Sequence, residues 1–128
     1  MSKVVLDSSA LIALIKGETG AEIIEPLLGG VVMSTINISE VAGILIDLGM
    51  SMEECKSSIE PYIDLVVPLD MEQSFEMAFL KKLTKHKGLS FGDRACIALG
   101  IKMALPIYTA DKVWANLELE GTKIRLIR

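Results

Sequence analysis

The sequence contains few of the residues from which many catalytic and structural sites are built. Its 128 residues include two cysteines, Cys55 and Cys96, and a single histidine, His86. These three residues are not closely spaced, which excludes a zinc site of the usual cysteine–histidine pattern. We expect both thiols to be reduced and buried, as in a cytoplasmic protein.

Long apolar runs are also absent. The first run is interrupted by Asp7 and the next ends at Lys16, so neither approaches the roughly 18 apolar residues that cross a bilayer. The amino-terminal segment does not have the pattern of a secretory signal peptide. The sequence therefore predicts a cytoplasmic protein that does not associate with membranes.

The chain has no excess of positive charge, and its formal net charge is −4. Proteins that hold nucleic acid by bulk charge are usually basic, so this charge argues against such a role. It does not exclude an enzyme that acts on nucleic acid, because bound metal ions would neutralise several of the acidic residues.

Aromatic residues make up only 5% of the chain, whereas 51% of all residues are hydrophobic. Leucine, isoleucine, valine, alanine and methionine must therefore form the core. An apolar content this high predicts that part of the surface is buried against a second copy or another partner. The helical faces that we expect to contribute contain Leu11, Ile12, Ile15, Ile23, Ile24 and Leu27.

Short apolar runs alternate with helical patterns along the whole chain, with no repeat or linker. The predicted strands are 3–6, 31–33, 65–68, 106–108 and 123–127. The predicted helices are 8–16, 20–28, 37–48, one from 51, 72–85, 90–103 and 111–119. This alternation predicts one domain, 1–128, with the α/β class of fold: an α/β/α sandwich around a mainly parallel sheet of about four to five strands.

Four acidic residues lie at or near the starts of predicted helices: Asp7, Glu40, Asp93 and Asp111. In a parallel sheet, ligands bind at the carboxyl ends of the strands, where Asp7 and Asp111 are predicted to lie and which Glu40 follows closely. Local sequence does not show whether Asp93 joins them. Together these carboxylates would form an oxygen-rich pocket for a hard divalent cation.

Each of these acids also has a structural interpretation. Glu40 and Asp93 lie three residues after Asn37 and Ser90, a spacing that resembles a helix capping box, and Asp111 is placed to cap a helix by itself. Asp7 is harder to explain in this way, because it ends a strand predicted to be buried, where an unpaired charge costs several kcal/mol.

Taken together, the four acids and their neighbours resemble PIN-domain ribonucleases, and within them the VapC toxins of bacterial toxin–antitoxin pairs. The resemblance covers essentially the whole chain. The matching segments are VLDSSAL at 5–11, Thr35 with Glu40, LSFGD at 89–93, YTADKVW at 108–114 and IRLIR at 124–128.

The resemblance implies roles for individual residues. The catalytic and metal-binding residues would be Asp7, Glu40, Asp93 and Asp111. Ser9 and Thr109 would orient the carboxylates or a water molecule. Arg94 and Lys112 each follow a proposed ligand, and we expect them to contact substrate phosphate or to pair with the neighbouring acids.

The resemblance also implies a cofactor and partners. The cofactor would be Mg²⁺ or Mn²⁺, and the substrate would be RNA, cleaved to leave a 5′-phosphate and a 3′-hydroxyl. The protein would form a homodimer and bind a cognate antitoxin that carries a basic side chain into the acidic pocket. Some relatives have another acid shortly after the fourth, but Trp114 and Asn116 occupy those positions here.

Two other interpretations remain open at the level of sequence. One is a Mg²⁺-dependent phosphoryl-transfer domain, either receiver-like or phosphatase-like. The phosphatase pattern requires a second aspartate where Ser9 stands, and a receiver requires an acidic pair that is absent before Asp7. The other is a non-catalytic interaction module whose acids only cap helices.

Overall fold

The protein, described here by a computed structural model over residues 2–128, is built around one five-stranded sheet. All the strands in this sheet are parallel, in the order β3-β2-β1-β4-β5. The strands are β1 Val4–Leu6, β2 Val31–Ser34, β3 Leu65–Val67, β4 Ile107–Thr109 and β5 Ile124–Leu126. The predicted parallel α/β sheet is therefore confirmed.

Within residues 2–128, six α-helices cover the two faces of the sheet. They are α1 Ser8–Lys16, α2 Ala21–Ile24, α3 Thr35–Asp47, α4 Met52–Ile59, α5 Met71–Leu83 and α6 Phe91–Met103. Side chains from α1 to α4 form a core on one face, and side chains from α5 and α6 form a second core on the other. Because β1, β2 and β4 are packed from both sides, their residues are almost continuously apolar.

The strand order explains why the functional residues can meet. β1 is central, and its last residue, Leu6, is paired with Tyr108 near the end of β4. β2 lies on the other side of β1, and α3 begins directly after it. The carboxyl ends of three neighbouring strands therefore lie together at one edge of the sheet.

Three predicted helices differ from the observed ones. The helix predicted from Asn37 begins earlier, because the Ser34 side chain accepts a hydrogen bond from the Ile36 amide and caps α3. The helix predicted over 20–28 changes to a 3₁₀ segment at Glu25–Leu27, which contains a proline. The helix predicted over 111–119 is only the 3₁₀ segment Lys112–Asn116.

The surplus apolar surface lies only partly where it was predicted, since Ile23 is 44% exposed. Leu11 and Ile24 are fully buried in the protein's own core. On α5 the buried side chains include Met77 and Leu80, whereas Phe75 is 71% exposed. The exposed apolar side chains along the outer face of α5 are Met71, Phe75, Phe79 and Leu83. Within residues 2–128, no helix is long and apolar enough to cross a membrane.

Candidate active site

Asp7 lies at the end of β1 and is only 4% exposed. Its carboxylate accepts hydrogen bonds from the Ser9 hydroxyl at 2.8 and 2.9 Å, from the Ala10 amide at 2.8 Å and from the Thr109 hydroxyl at 2.5 Å. Burial raises the pKa of Asp7 from 3.8 to about 6, in spite of these hydrogen bonds, and the charge of Asp93 adds to the increase. The fold therefore keeps a carboxylate where its ionised form is disfavoured.

Ser9 and Thr109 link the turn after β1 to the turn after β4 through hydrogen bonds. Each hydroxyl donates to Asp7 and accepts from a backbone amide, that of Ala110 at 2.9 Å for Ser9 and that of Asp111 at 3.0 Å for Thr109. Since both hydroxyls have donor and acceptor partners, they hold Asp7 in one orientation. The geometry supports the orienting role that the sequence suggested for them.

Glu40 projects from the second turn of α3 toward α1 and α6. Its Oε1 accepts hydrogen bonds from the Ser8 hydroxyl at 2.6 Å and from the Asn37 side-chain amide at 2.8 Å. The same Asn37 amide donates to the carbonyl of Gly92 at 3.0 Å, and Asn37 is 1% exposed. Asn37 is thus a positioning residue within α3, and sequence analysis misidentified it as the helix cap.

Ser8, Asn37 and Gly92 were not recognised as site residues from the sequence. A side chain on Gly92 would overlap the carboxylate of Glu40, so glycine at this position allows Glu40 to keep its present orientation. The three-residue spacing between Asn37 and Glu40 does place both on one helical face. Nothing local indicates the contacts with Ser8 or Gly92.

We predict that Gly92→Ala will lower any activity that depends on Glu40 by about 10- to 100-fold, the range typical for disturbed ligand positioning. The new methyl group would displace the Glu40 carboxylate from Ser8 and Asn37. Cleavage rates and thermal melting of the variant would measure the effect. Gly43→Ala on α3, the helix that carries Glu40, is the control, because a methyl group there meets no atom within 4 Å. Equal rates for the two variants would contradict the prediction.

Asp93 and Asp111 do cap helices, as the structural interpretation proposed. Asp93 Oδ2 accepts from the Ser90 amide at 2.9 Å, and the Ser90 hydroxyl accepts from the Asp93 amide at 3.1 Å, which is a complete capping box. Asp111 Oδ1 accepts from the Val113 amide at 3.0 Å. Capping nevertheless occupies only one oxygen of each carboxylate.

The four acids form one electrostatic cluster. Burial raises the pKa of Asp93, and the charges of Asp111 and Glu40 raise it further. The thiol of Cys96 is buried, and its pKa is raised by burial and then by the charges of Asp7, Asp93 and Glu40. Chain segments that are far apart in sequence thus bring like charges together, which is unfavourable without a compensating cation.

No basic side chain within residues 2–128 forms an ion pair with this cluster. The ion pairs that are present involve Glu18, Glu53 and Asp70. In the described part of the chain, Glu40 Oε2, Asp93 Oδ1 and Asp111 Oδ2 accept no hydrogen bond. These carboxylate oxygens suit a hard divalent cation. The side chains of residues 2–128 do not form a preset group of three metal ligands.

Arg94 and Lys112 lie beside the cluster but have different environments. The Arg94 guanidinium donates to the carbonyl of Met77 at 3.2 Å and lies 5.7 Å from the centre of the Phe91 ring. Lys112 is exposed. The predicted phosphate contact therefore remains a prediction for both residues, and it fits the exposed Lys112 better than the tethered Arg94.

Several solved structures have a fold similar to that of this protein. Solved structures with the same fold include DNA-bound VapBC from Salmonella typhimurium, with a TM-score of 0.76, 17% identity and all of both chains covered. VapBC-5 from Mycobacterium tuberculosis has a TM-score of 0.67 and 20% identity, with 96% of each chain covered. VapC20 from M. tuberculosis, described as a Sarcin-Ricin loop cleaving toxin, has a TM-score of 0.72 and 16% identity, with 92% of this chain and 98% of that chain covered.

No match was found among curated proteins. Identities this low establish a shared fold only. The sequence profile of the PIN domain, however, matches residues 4–119, which is most of the chain and includes all four clustered acids. The chain therefore belongs to the PIN-domain family.

Proposed function

We propose that this protein is a Mg²⁺- or Mn²⁺-dependent endoribonuclease. The observation that carries the proposal is the cluster of Asp7, Glu40, Asp93 and Asp111, which four separate segments bring together without a basic partner in residues 2–128. Membership of the PIN-domain family supports it. The four acids are the proposed metal ligands and catalytic residues.

The chain's own residues would prepare the site before substrate arrives. Ser9 and Thr109 hold Asp7, while Ser8 and Asn37 hold Glu40, so two carboxylates are fixed by neutral donors that do not compete with a cation. A bound divalent ion would polarise a phosphodiester oxygen and lower the pKa of a water molecule. One of the carboxylates with an unpartnered oxygen would position that water for in-line attack.

The geometry disfavours the phosphoryl-transfer alternative. An aspartate that accepts a phosphoryl group must be open to a phosphodonor molecule, but Asp7 is 4% exposed. Its three hydrogen-bond donors, Ser9, Ala10 and Thr109, still leave one acceptor position of the carboxylate for a small cation. We therefore expect no covalent labelling of Asp7 by a small phosphodonor such as acetyl phosphate. The other alternative, a non-catalytic interaction module, predicts no RNA cleavage with any metal, which the cleavage assay tests.

We also propose that the protein is the toxin of a VapBC-type toxin–antitoxin pair. Several structural neighbours are VapBC or FitAB complexes, which supports an antitoxin partner. A basic side chain of the antitoxin would supply the cation that the acid cluster lacks and would thereby exclude metal or substrate. Expression in bacteria without antitoxin should arrest growth, and normal growth would contradict the toxin assignment.

The cleavage assay tests the proposed function directly. Purified protein, freed of metal by EDTA, is incubated with cellular RNA before and after addition of Mg²⁺ or Mn²⁺. We expect metal-dependent cleavage that leaves 5′-phosphate ends, which a phosphate-dependent exonuclease would then degrade. Equal cleavage in EDTA would contradict the metal requirement, and absence of cleavage with every metal would contradict the nuclease assignment.

The exposed apolar face of α5 leads us to predict a homodimer. Phe75 and Phe79 are 71% and 55% exposed, and together with Met71 they form one stripe along the helix. Burying such a stripe is favourable, so a Phe75→Glu/Phe79→Glu variant should sediment as a monomer at concentrations where the wild type is a dimer. Leu48→Glu, at the exposed leucine that follows α3, is the control. A wild-type protein that is monomeric at micromolar concentration would contradict the prediction.

A further inference from the structure

We propose that Ser8 and Asn37 set the metal selectivity of the acid cluster, because they restrict Glu40 to one ligand oxygen and thereby disfavour Ca²⁺. This inference rests on the proposed metal-dependent function and adds two specificity-determining residues to it. The observations that carry it are the hydrogen bonds that the carboxylates of Glu40 and Asp7 already accept from the protein.

One oxygen of the Glu40 carboxylate is fully occupied. Each oxygen of an ionised carboxylate accepts about two hydrogen bonds. Glu40 Oε1 accepts two, from the Ser8 hydroxyl at 2.6 Å and from the Asn37 side-chain amide at 2.8 Å, whereas within residues 2–128 Oε2 accepts none. A cation can therefore bind Oε2 with every donor in place, but it cannot bind both oxygens unless a hydrogen bond is lost.

The two donors to Glu40 are themselves held in place. The other hydrogen of the Asn37 amide is donated to the Gly92 carbonyl at 3.0 Å, and Asn37 is 1% exposed. The Ser8 hydroxyl has one hydrogen, and the other acceptor near it, the Asn37 carbonyl, is more distant at 3.3 Å. Gly92 lies so close to the carboxylate that an added Cβ atom would overlap both oxygens. Rotation of the Glu40 carboxylate is therefore restricted from α1, α3 and α6.

Asp7 is limited in the same way. Its carboxylate accepts from the Ser9 and Thr109 hydroxyls and from the Ala10 amide, and these three donors leave one of about four acceptor positions. A single free position allows one bond between oxygen and metal. Asp7 and Glu40 thus each offer a cation one oxygen.

Mg²⁺ and Ca²⁺ differ in what they require from a site. Mg²⁺ binds oxygens in an octahedron and keeps several of its water molecules, so it needs few oxygens from the protein. Ca²⁺ takes about six to eight oxygens and commonly binds both oxygens of one carboxylate. Carboxylates that offer one oxygen each are therefore sufficient for Mg²⁺, but they deny Ca²⁺ a ligand that binds through two oxygens.

Competition with Mn²⁺ tests the inference without RNA. The protein is freed of metal by EDTA, dialysed and loaded with Mn²⁺, and its release by MgCl₂ or CaCl₂ is followed by electron paramagnetic resonance. In the wild type, Mg²⁺ should displace Mn²⁺ at lower concentrations than Ca²⁺ does. Ser8→Ala should lower the affinity for Mg²⁺ by about 10- to 100-fold, the range for loss of a hydrogen bond to a metal ligand. Its affinity for Ca²⁺ should be unchanged or higher, because the freed Oε1 becomes a second ligand oxygen.

Further variants make the test specific. Asn37→Leu should change the ratio of the two affinities in the same direction as Ser8→Ala. If Asn37→Leu does not fold, because the Gly92 carbonyl loses a donor, Ser8→Ala carries the test. Ser8→Thr keeps the hydroxyl and should keep the wild-type ratio. Ser74→Ala is the matched control, because that hydroxyl also donates to a neighbouring helix residue, the Asp70 carbonyl at 2.8 Å, but it is exposed and makes no bond to the clustered acids.

Glu40→Gln shows whether Ser8 acts through Glu40. An amide has one oxygen, so it cannot bind Ca²⁺ through two oxygens, whether or not Ser8 donates to it. In the Glu40→Gln background, Ser8→Ala should therefore leave the ratio of the two affinities unchanged. A change in this background as large as in the wild type, or a loss by the same factor for both ions in Ser8→Ala, would overturn the proposal.

The binding experiment separates this inference from the proposed catalysis. If Ser8→Ala changes the ratio as expected but the wild type cleaves no RNA, the proposed function fails and the inference stands. If the wild type cleaves RNA with Mg²⁺ but binds Ca²⁺ as readily, or if Ser8→Ala leaves the ratio unchanged, the inference fails and the proposed function stands. A wild type that binds no Mn²⁺ would contradict both.

Discussion

Asp93→Asn is expected to reduce RNA cleavage by about 100- to 10,000-fold at saturating Mg²⁺, the range associated with loss of a catalytic carboxylate. An amide can still accept the hydrogen bond from the Ser90 amide, so the capping box and the start of α6 should survive. What the substitution removes is the negative charge and the oxygen that accepts no bond within the described chain. Initial cleavage rates and circular dichroism spectra would measure the two effects separately.

Asp70→Asn provides the matched control. Asp70 also caps a helix, since it accepts a hydrogen bond from the Gln73 amide at 2.8 Å, and it pairs with Lys102 at the opposite end of α6 from Asp93. Asp70 therefore caps a helix as Asp93 does, but it has none of the other three clustered acids beside it. If Asp93→Asn cleaves RNA at the wild-type rate, or if Asp70→Asn is equally impaired, the acids are structural and the active-site assignment fails.

The fold could be predicted because its causes are local. Strands such as Val31–Ser34 are short, apolar and followed by helical patterns, and right-handed crossovers then place their carboxyl ends at one edge. This reasoning placed Asp7 and Asp111 at that edge. It could not place Asp93, because α6 follows α5 rather than a strand and reaches the site through helix packing.

The contacts within the site could not be predicted for the same reason. The hydrogen bond between Ser8 and Glu40 joins residues 32 positions apart in the sequence, and that between Asn37 and Gly92 joins residues 55 positions apart. Local patterns instead made Asn37 look like a helix cap, a role that Ser34 performs. The cap at Asp93 leaves the proposed metal-binding role open, because a carboxylate has two oxygens and the cap uses one.

Asp7→Asn is expected to stabilise the metal-free protein at neutral pH. Burial raises the pKa of Asp7 from 3.8 to about 6 in the folded state. The contribution of Asp7 to stability is therefore complete when the pH is below its pKa in the unfolded state. This contribution is lost as the pH rises through its pKa in the folded state. The full difference corresponds to about 3 kcal/mol, or a shift in Tm on the order of 10 °C.

The pH dependence of the difference isolates this effect, because the acceptor that a hydroxyl such as that of Thr109 loses to an amide nitrogen is lost at every pH, while the cap stays in place. Asparagine caps a helix as well as aspartate does, so the Ala10 amide keeps an acceptor. In EDTA, the free energy of unfolding of the wild type relative to Asp7→Asn should fall by about 3 kcal/mol between roughly pH 4 and pH 8. Urea unfolding of both proteins across this range would measure the difference.

Asp70→Asn should show the opposite dependence on pH. The hydrogen bond from Lys102 lowers the pKa of Asp70, so its contribution is present above its unfolded pKa and is lost on acidification. Mg²⁺ should raise the Tm of the wild type and of Asp70→Asn by mass action, and that of Asp7→Asn much less. The prediction is contradicted if the free energies of unfolding of the wild type and Asp7→Asn change with pH in the same way and Mg²⁺ does not stabilise the wild type. The charge of the buried carboxylate would then not destabilise the metal-free protein. The proposal that the acid cluster binds metal would then be wrong.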